Sequence, residues 1–293
     1  MTDSIAALAR RRPTFSFEFF PPRDNDGVKQ LVSTVAQLEP LAPDFVSVTY
    51  GASGTSAQRT IAATKLLAQH TGLRLVGHLT CTGQVKDQLA TTLGQYAQVG
   101  VKHILAIRGD PPGGPSAPWL SVPGGLANAT ELVAFIKEQG DFEVGVGAFP
   151  DIHPLGSPVL DAQILADKQA AGASFAITQL FFDPGRYQSL VERAQGLGVT
   201  MPIIAGLMPI TKLGQLRRFA QLSGAPVPLA LSDRLNAVEQ DPIALRDEGA
   251  QIGLELAEAL LAIGAPGVHF FTQNRSGVTR EILATVLARR SRG

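Results

Sequence analysis

Short runs of β-branched and aromatic residues alternate with longer segments of helical periodicity from one end of the chain to the other. Eight runs read as strands: Thr14–Phe19, Asp44–Thr49, Arg74–Leu79, His103–Ile107, Phe142–Ala148, Phe175–Gln179, Pro202–Gly206 and Val268–Thr272. Between them, apolar residues at helical spacing predict helices over 25–39, 57–70, 84–99, 128–139, 160–171, 185–196, 211–222 and 242–263, with another over 276–290 after the last strand. Such alternation of periods predicts repeated βα units and a parallel sheet. The segment 242–263 has the clearest boundaries, with Asp241 as N-cap, Pro242 at the first helical position and Gly264 just past the end. Its Ile252, Leu256, Leu260 and Ile263 are expected to face the core.

Eight βα units without a mid-chain linker or low-complexity tract predict an α/β fold, a single (β/α)8 TIM barrel over residues 1–293 with an extra helix between strands 7 and 8. An open doubly wound sheet would want a glycine-rich phosphate turn after its first strand. Here the chain reads Phe19-Phe20-Pro21-Pro22-Arg23, and no G-x-G-x-x-G follows any strand. A bound dinucleotide is therefore held in some other way. One stretch, 111–125, is long for a connection in a compact domain and carries Trp119, the only tryptophan. It reads either as a lid or wall of the active site or as a variable solvent loop.

Composition narrows the class. At 293 residues and 45% hydrophobic, the chain can bury a large core. Twenty-five basic residues balance twenty-five acidic ones, so no global field attracts nucleic acid or a membrane surface. A single cysteine, Cys81, excludes an internal disulfide and a cysteine-only metal cluster, which fits a reducing compartment. In the N-terminus the apolar stretch is short and the arginines follow it, so it is no signal peptide, and no uncharged run approaches the roughly 18 residues that span a bilayer. A soluble, cytoplasmic protein is expected.

In a barrel of this kind the active site lies at the C-terminal ends of the strands. Polar residues collect there. Glu18 sits in Phe15-Ser-Phe-Glu-Phe-Phe20, where an ionised carboxylate must be desolvated, paired or protonated. Burial favours a protonated carboxyl group, suited to donating a proton near neutrality; the alternative is a carboxylate stapling the barrel mouth to a basic partner. Other strand ends offer Thr49-Tyr50-Gly51-Ala52, His78-Leu-Thr80, Arg108-Gly109-Asp110, Phe149-Pro-Asp-Ile-His153, Thr178-Gln179 and Thr272-Gln-Asn-Arg275. His78 and His153, taken singly, are as readily structural as catalytic. No pair of His or acidic residues has metal-ligand spacing, so no metal is expected. A Schiff-base aldolase would need a strand-end lysine, whereas Lys102 begins a strand and Lys168 lies in a helix. A retaining glycosidase could draw two carboxylates from Glu18, Asp110 and Asp151, but one Trp and three Tyr make a poor sugar-stacking cleft.

The motifs Phe17-Glu-Phe-Phe-Pro-Pro-Arg23, Asp44-Phe-Val-Ser-Val-Thr-Tyr-Gly-Ala52, His78-Leu-Thr-Cys81, Arg108-Gly-Asp-Pro111, Pro150-Asp-Ile-His-Pro154, Ile177-Thr-Gln179, Gly206-Leu-Met-Pro209 and Phe270-Phe-Thr-Gln-Asn-Arg275 occur in order. In these the chain resembles the methylenetetrahydrofolate reductases over nearly its whole length. The resemblance implies reduction of 5,10-methylenetetrahydrofolate to 5-methyltetrahydrofolate by NADH or NADPH, with ping-pong hydride transfer through FAD. It implies Glu18 as general acid and Asp110 as the carboxylate near flavin and pterin. Thr49, Tyr50, Ala52, His78, Arg108, Gly109, Asp110, Ala129, His153, Asp161 and Lys168 match cofactor-binding positions. Glu18, Asp110, Gln179, Gln215, Phe219 and Arg275 match substrate-binding positions. Relatives of this kind form dimers or tetramers, so a homo-oligomer is implied.

At four positions the chain departs from many relatives. Phe149 and Phe271 stand in place of tyrosines, Asn128 occupies another frequent tyrosine position, and Ile164 replaces a polar residue near the FAD adenosine. Each removes or alters a polar handle. Two further readings stay open: a flavin-independent reductase taking hydride directly from NADH, and a folate- or nucleotide-binding barrel without turnover.

Overall fold

The computed structural model describes residues 4–50, 54–111, 117, 119, 121–151, 153 and 156–291. The chain opens with a short helix, α1 (Ile5–Arg11), before β1 (Thr14–Phe19), α2 (Asn25–Leu38), a single 3-10 turn and β2 (Phe45–Val48). Then come α3 (Gly54–His70), β3 (Leu75–Thr80), α4 (Lys86–Gln98), β4 (His103–Ile107), α5 (Ala129–Gln139), β5 (Glu143–Ala148) and α6 (Pro158–Ala170). The second half runs β6 (Ala173–Thr178), α7 (Pro184–Gly196), β7 (Ile203–Leu207), α8 (Leu213–Ser223), α9 (Leu229–Ala237), α10 (Pro242–Ala262), β8 (Gly267–Phe271) and α11 (Gly277–Arg290). All eight strands are parallel and close into a barrel in sequence order, β1 pairing with both β2 and β8. The expected extra helix between β7 and β8 is present, and α9, absent from the periodicity reading, accompanies it.

Strand alternation sorts the side chains into two layers. Phe15, Phe17 and Phe19 of β1 face outward and share one core with Leu31, Val35 and Leu38 of α2. Burying each such ring contributes about 1.5–3 kcal/mol. Phe45, Val76, Leu105, Phe175, Ile177 and Ile204 form a separate inner core that fills the barrel, and Ile5 and Ala6 of α1 belong to it. Helix α1 thus plugs the N-terminal end. Glu143, at the start of β5, holds it there by accepting from Ser4 Oγ (2.6 Å), Ile5 N (2.8 Å) and Ala6 N (2.9 Å).

Helix α10 starts as its sequence suggests, with Asp241 Oδ1 accepting from Ile243 N and Ala244 N. Its buried face differs from the expected one. Ile252 and Leu260 are buried, but Leu256 is only partly so and Ile263 is 43% exposed. The helix instead turns Gly253 and Ala257 inward, because a Cβ at Gly253 would meet Ile282 Cδ1 of α11 at 2.6 Å. Among the described residues no helix is long and apolar enough to cross a membrane.

Candidate active site

The C-terminal ends of the strands open into a cavity of about 890 Å³, near the upper end of the range for small-molecule sites. Glu18, paired in register with Ser47 of β2 and Phe271 of β8, stands in its wall with its side chain 12% exposed. His78 Nε2 lies 3.7 Å and His269 Nε2 3.9 Å from Glu18 Oε2. Among the described residues no hydrogen bond reaches this carboxyl group. His269 is itself fixed, with Nδ1 2.7 Å from Ser16 Oγ, Nε2 3.4 Å from Ser47 Oγ and its ring stacked on Phe45. Burial pushes the His78 imidazole down to about 4, against the pull of Glu18 and with the help of His269. Near neutral pH His78 is uncharged.

A second group lines the opposite side. Arg108, Gly109 and Asp110 follow β4 in a turn locked by Thr82, whose N (3.1 Å) and Oγ1 (2.7 Å) both donate to Arg108 O. Gly109 has φ +84°, and a Cβ there would run into the Thr82 hydroxyl, so glycine is required between the two charged residues. The Arg108 guanidinium lies 5.1 Å over the Trp119 ring. Trp119, one of the described residues of the 111–125 stretch, thus packs on Arg108, which lines the cavity, and is not itself in the lining. Lys168 of α6 is buried, and its Nζ donates to Gly147 O at 2.8 Å. Burial lowers the Lys168 ammonium to about 8, Asp161 opposing and Arg108 adding to the effect. Asp161 Oδ2 accepts from His153 N at 3.0 Å; burial raises Asp161 and lowers His153.

The site residues expected from the sequence are largely gathered here. Glu18, Thr49, Tyr50, His78, Arg108, Gly109, Asp110, Ala129, His153, Asp161, Lys168, Gln179 and Phe219 all line the cavity. Ala52 lies outside the described residues. Gln215 and Arg275 are not in the lining: Gln215 Oε1 accepts from Thr211 Oγ1 at 3.3 Å, and Arg275 borders a side pocket of about 20 Å³ next to Phe271 and Gln273. The four departures are all in the wall. Asn128 has a local task, since its Oδ1 accepts from Glu131 N (2.9 Å) as the N-cap of α5. His269, Ser16 and Ser47 were missed by reading strand ends, because they sit one layer below. Their signal was the two-residue alternation, which turns Ser16 and Glu18 of β1 to the same side. Among the described residues no group of three or more His, Cys, Asp or Glu side chains is placed to hold a metal ion.

Comparisons with known proteins find relatives over nearly the whole chain. The model of the family described as methylenetetrahydrofolate reductase matches residues 4–286. The chain is 35% identical to the 5,10-methylenetetrahydrofolate reductase of Pectobacterium carotovorum subsp. carotovorum over 287 residues, covering 98% of this chain and 94% of that one. It is also 35% identical to the Escherichia coli (strain K12) enzyme of the same name, over 92% of this chain and 90% of that one. Among solved structures, a Clostridium thermocellum protein that binds two copies of 5-methyl-5,6,7,8-tetrahydrofolic acid superposes with a TM-score of 0.65 at 15% identity, covering 96% of this chain and 97% of that one. That likeness is one of fold.

Proposed function

The chain belongs to the methylenetetrahydrofolate reductase family, and from that premise we propose that its cavity binds FAD and 5,10-methylenetetrahydrofolate and forms 5-methyltetrahydrofolate with electrons from NADH or NADPH. The observation that carries this reading is the Glu18 carboxyl, set beside two buried histidines and left without a hydrogen bond from any described residue. A group so placed can give up a proton to a ligand without breaking the fold.

The residues present suit FAD. Lys168 is buried with its Nζ on the Gly147 carbonyl and feels the charges of Asp161 and Arg108, and its ammonium and the Arg108 guanidinium are a donor set that matches a diphosphate. Gly147 leaves open space where a side chain would begin, so a ligand can approach its backbone. Lys168, Arg108 and His153 would hold the phosphates, with Asp161 orienting the loop at His153. Thr49, Tyr50, His78, Gly109, Asp110 and Ala129 would contact the remainder, and Ala52 joins them on the family pattern alone. Bound FAD supplies two-electron carriage between nicotinamide and folate.

The chain's own residues do the rest. Glu18 donates its proton to the folate nitrogen that leaves the bridging carbon, so the five-membered ring opens and positive charge stays on the other nitrogen. Solvent returns the proton after product leaves. Asp110 places a carboxylate where that charge develops. Gln179 orients the pterin, its Oε1 already accepting from Leu180 N at 2.9 Å. Phe219 packs against the bound ring, while Gln215 and the exposed Arg275 face the anionic tail beyond the main cavity. On the same reading the enzyme works in the cytoplasm, where the buried free thiol of Cys81 stays reduced.

A second reading, direct hydride transfer from NADH without flavin, draws support from Phe149, Ile164 and Phe271, three side chains without hydrogen-bonding groups in the cavity wall. An absorbance spectrum of freshly purified protein with steady-state kinetics separates the two. Flavin bands and ping-pong kinetics are expected. No flavin bands, no gain on adding FAD and sequential kinetics select the second reading; no folate-dependent NAD(P)H oxidation at all ends both, leaving a binding barrel without turnover.

A further inference from the structure

Beyond β8 the chain turns through Thr272, Gln273 and Asn274, and the last two have φ of +53° and +55°. Consecutive left-handed residues with side chains are sparsely populated and persist only where their surroundings impose them. Here the surroundings are the end of β1. Asn274 Oδ1 accepts from Phe20 N (2.8 Å) and Asn274 Nδ2 donates to Phe20 O (2.9 Å), so one side-chain amide pairs with both main-chain groups of Phe20. Thr272 Oγ1 donates to Glu18 O (2.6 Å) and accepts from Asn274 N (3.2 Å). The carbonyl of Asn274 in turn accepts from Thr34 Oγ1 (2.9 Å) and Gln30 Nε2 (3.2 Å) of α2.

The β1–β8 ladder ends at the Glu18 and Phe271 pair, and Pro21 and Pro22, lacking N–H groups, cannot extend it. The side chain of Asn274 takes over for one more residue. Phe20 is the first residue past β1, two positions beyond Glu18, and both line the cavity. The Glu18 carboxyl has no hydrogen bond of its own from the described residues, so its location depends on the main chain that carries it. We infer that Thr272 and Asn274 are positioning residues for proton donation, a main-chain clamp that sets the Glu18 carboxyl and the Phe20 ring against the folate. This rests on the folate reductase reading above.

Asn274→Gly tests the clamp, because glycine keeps the positive φ without strain and removes only the amide. Thr272→Val is the second arm, isosteric but unable to donate to Glu18 O. The wild-type protein is assayed first for folate-dependent NAD(P)H oxidation; its absence counts against the reductase reading and not against the clamp. In both variants kcat for folate reduction is expected to fall by about tenfold to a hundredfold. KM for the folate should stay within about threefold and melting temperature within a few degrees of wild type. Wild-type kcat in both variants overturns the inference whatever their melting temperatures, as does a raised KM with kcat unchanged.

Discussion

At the closed end of the barrel Glu143 Oε2 lies 3.4 Å from His103 Nε2; at the open end Glu18 Oε2 lies 3.7 Å from His78 Nε2. Both carboxyl groups are 12% exposed, and burial lowers both imidazoles. Chemically the pairs are near twins, yet their surroundings divide them. Glu143 accepts three hydrogen bonds from Ser4 and the first turn of α1, whereas no hydrogen bond from the described residues reaches Glu18. A carboxylate that accepts from three donors is committed to the helix it holds. One left free beside neutral imidazole, facing a cavity, can serve a ligand. Burial and partner type alone would not have separated structure from chemistry here; the count of satisfied acceptor sites does.

The contrast can be broken by substitution. The largest effect belongs to Glu18→Gln, expected to lower kcat for folate reduction by about 10²–10⁴-fold, the usual share of a general acid, with melting temperature unchanged. Glu143→Ala should do the reverse. Losing an acceptor for three donors costs about 2–4 kcal/mol, read as a melting temperature lower by about 5–10 °C, while kcat measured well below melting stays within about threefold of wild type.

The smallest effect is a pH dependence at the open end. His78 titrates near 4 in the folded protein and near 6.5 unfolded, so between these values the unfolded chain binds the extra proton. Its contribution is fully present above pH 6.5 and is lost as pH falls toward 4, by about 1 kcal/mol at pH 5.5 and about 3 kcal/mol in all. Denaturant unfolding at pH 7, 5.5 and 4.5 should follow that slope, and His78→Gln should flatten it. An unchanged slope in the variant would mean that the histidine is not held neutral.

Much of this was legible in the chain itself. All eight strands and the barrel follow from period alternation, because parallel strands buried on both faces read as short apolar runs. Of the expected residues that line the cavity, Glu18, Thr49, Tyr50, His78, Arg108, Gly109, Asp110, His153 and Gln179 follow from the strand ends, whereas Ala129, Asp161, Lys168 and Phe219 lie on helices and were placed by resemblance. Helix α1 escaped notice because seven residues ending in arginines bury only Ile5, Ala6 and Ala9, less than two turns of pattern; it is held by Glu143, 137 or more positions away. Helix α9 lies behind Ala225-Pro-Val-Pro228 and carries only two buried leucines, Leu231 and Leu235. Gln215, placed by resemblance, and Arg275, offered by the end of the last strand as well, both fall outside the lining. The unsatisfied state of Glu18 could not be read from the chain at all, since it depends on what β3 and β8 bring across the barrel.

The decisive measurement follows the two half-reactions separately, by rapid mixing, in Glu18→Gln and Glu143→Gln. Reduction of the enzyme by NAD(P)H should be within about threefold of wild type in both variants, and transfer to 5,10-methylenetetrahydrofolate should be lost only in Glu18→Gln. Equal loss of both half-reactions in Glu18→Gln, or the same selective loss in Glu143→Gln, would contradict the assignment of Glu18 as the acid.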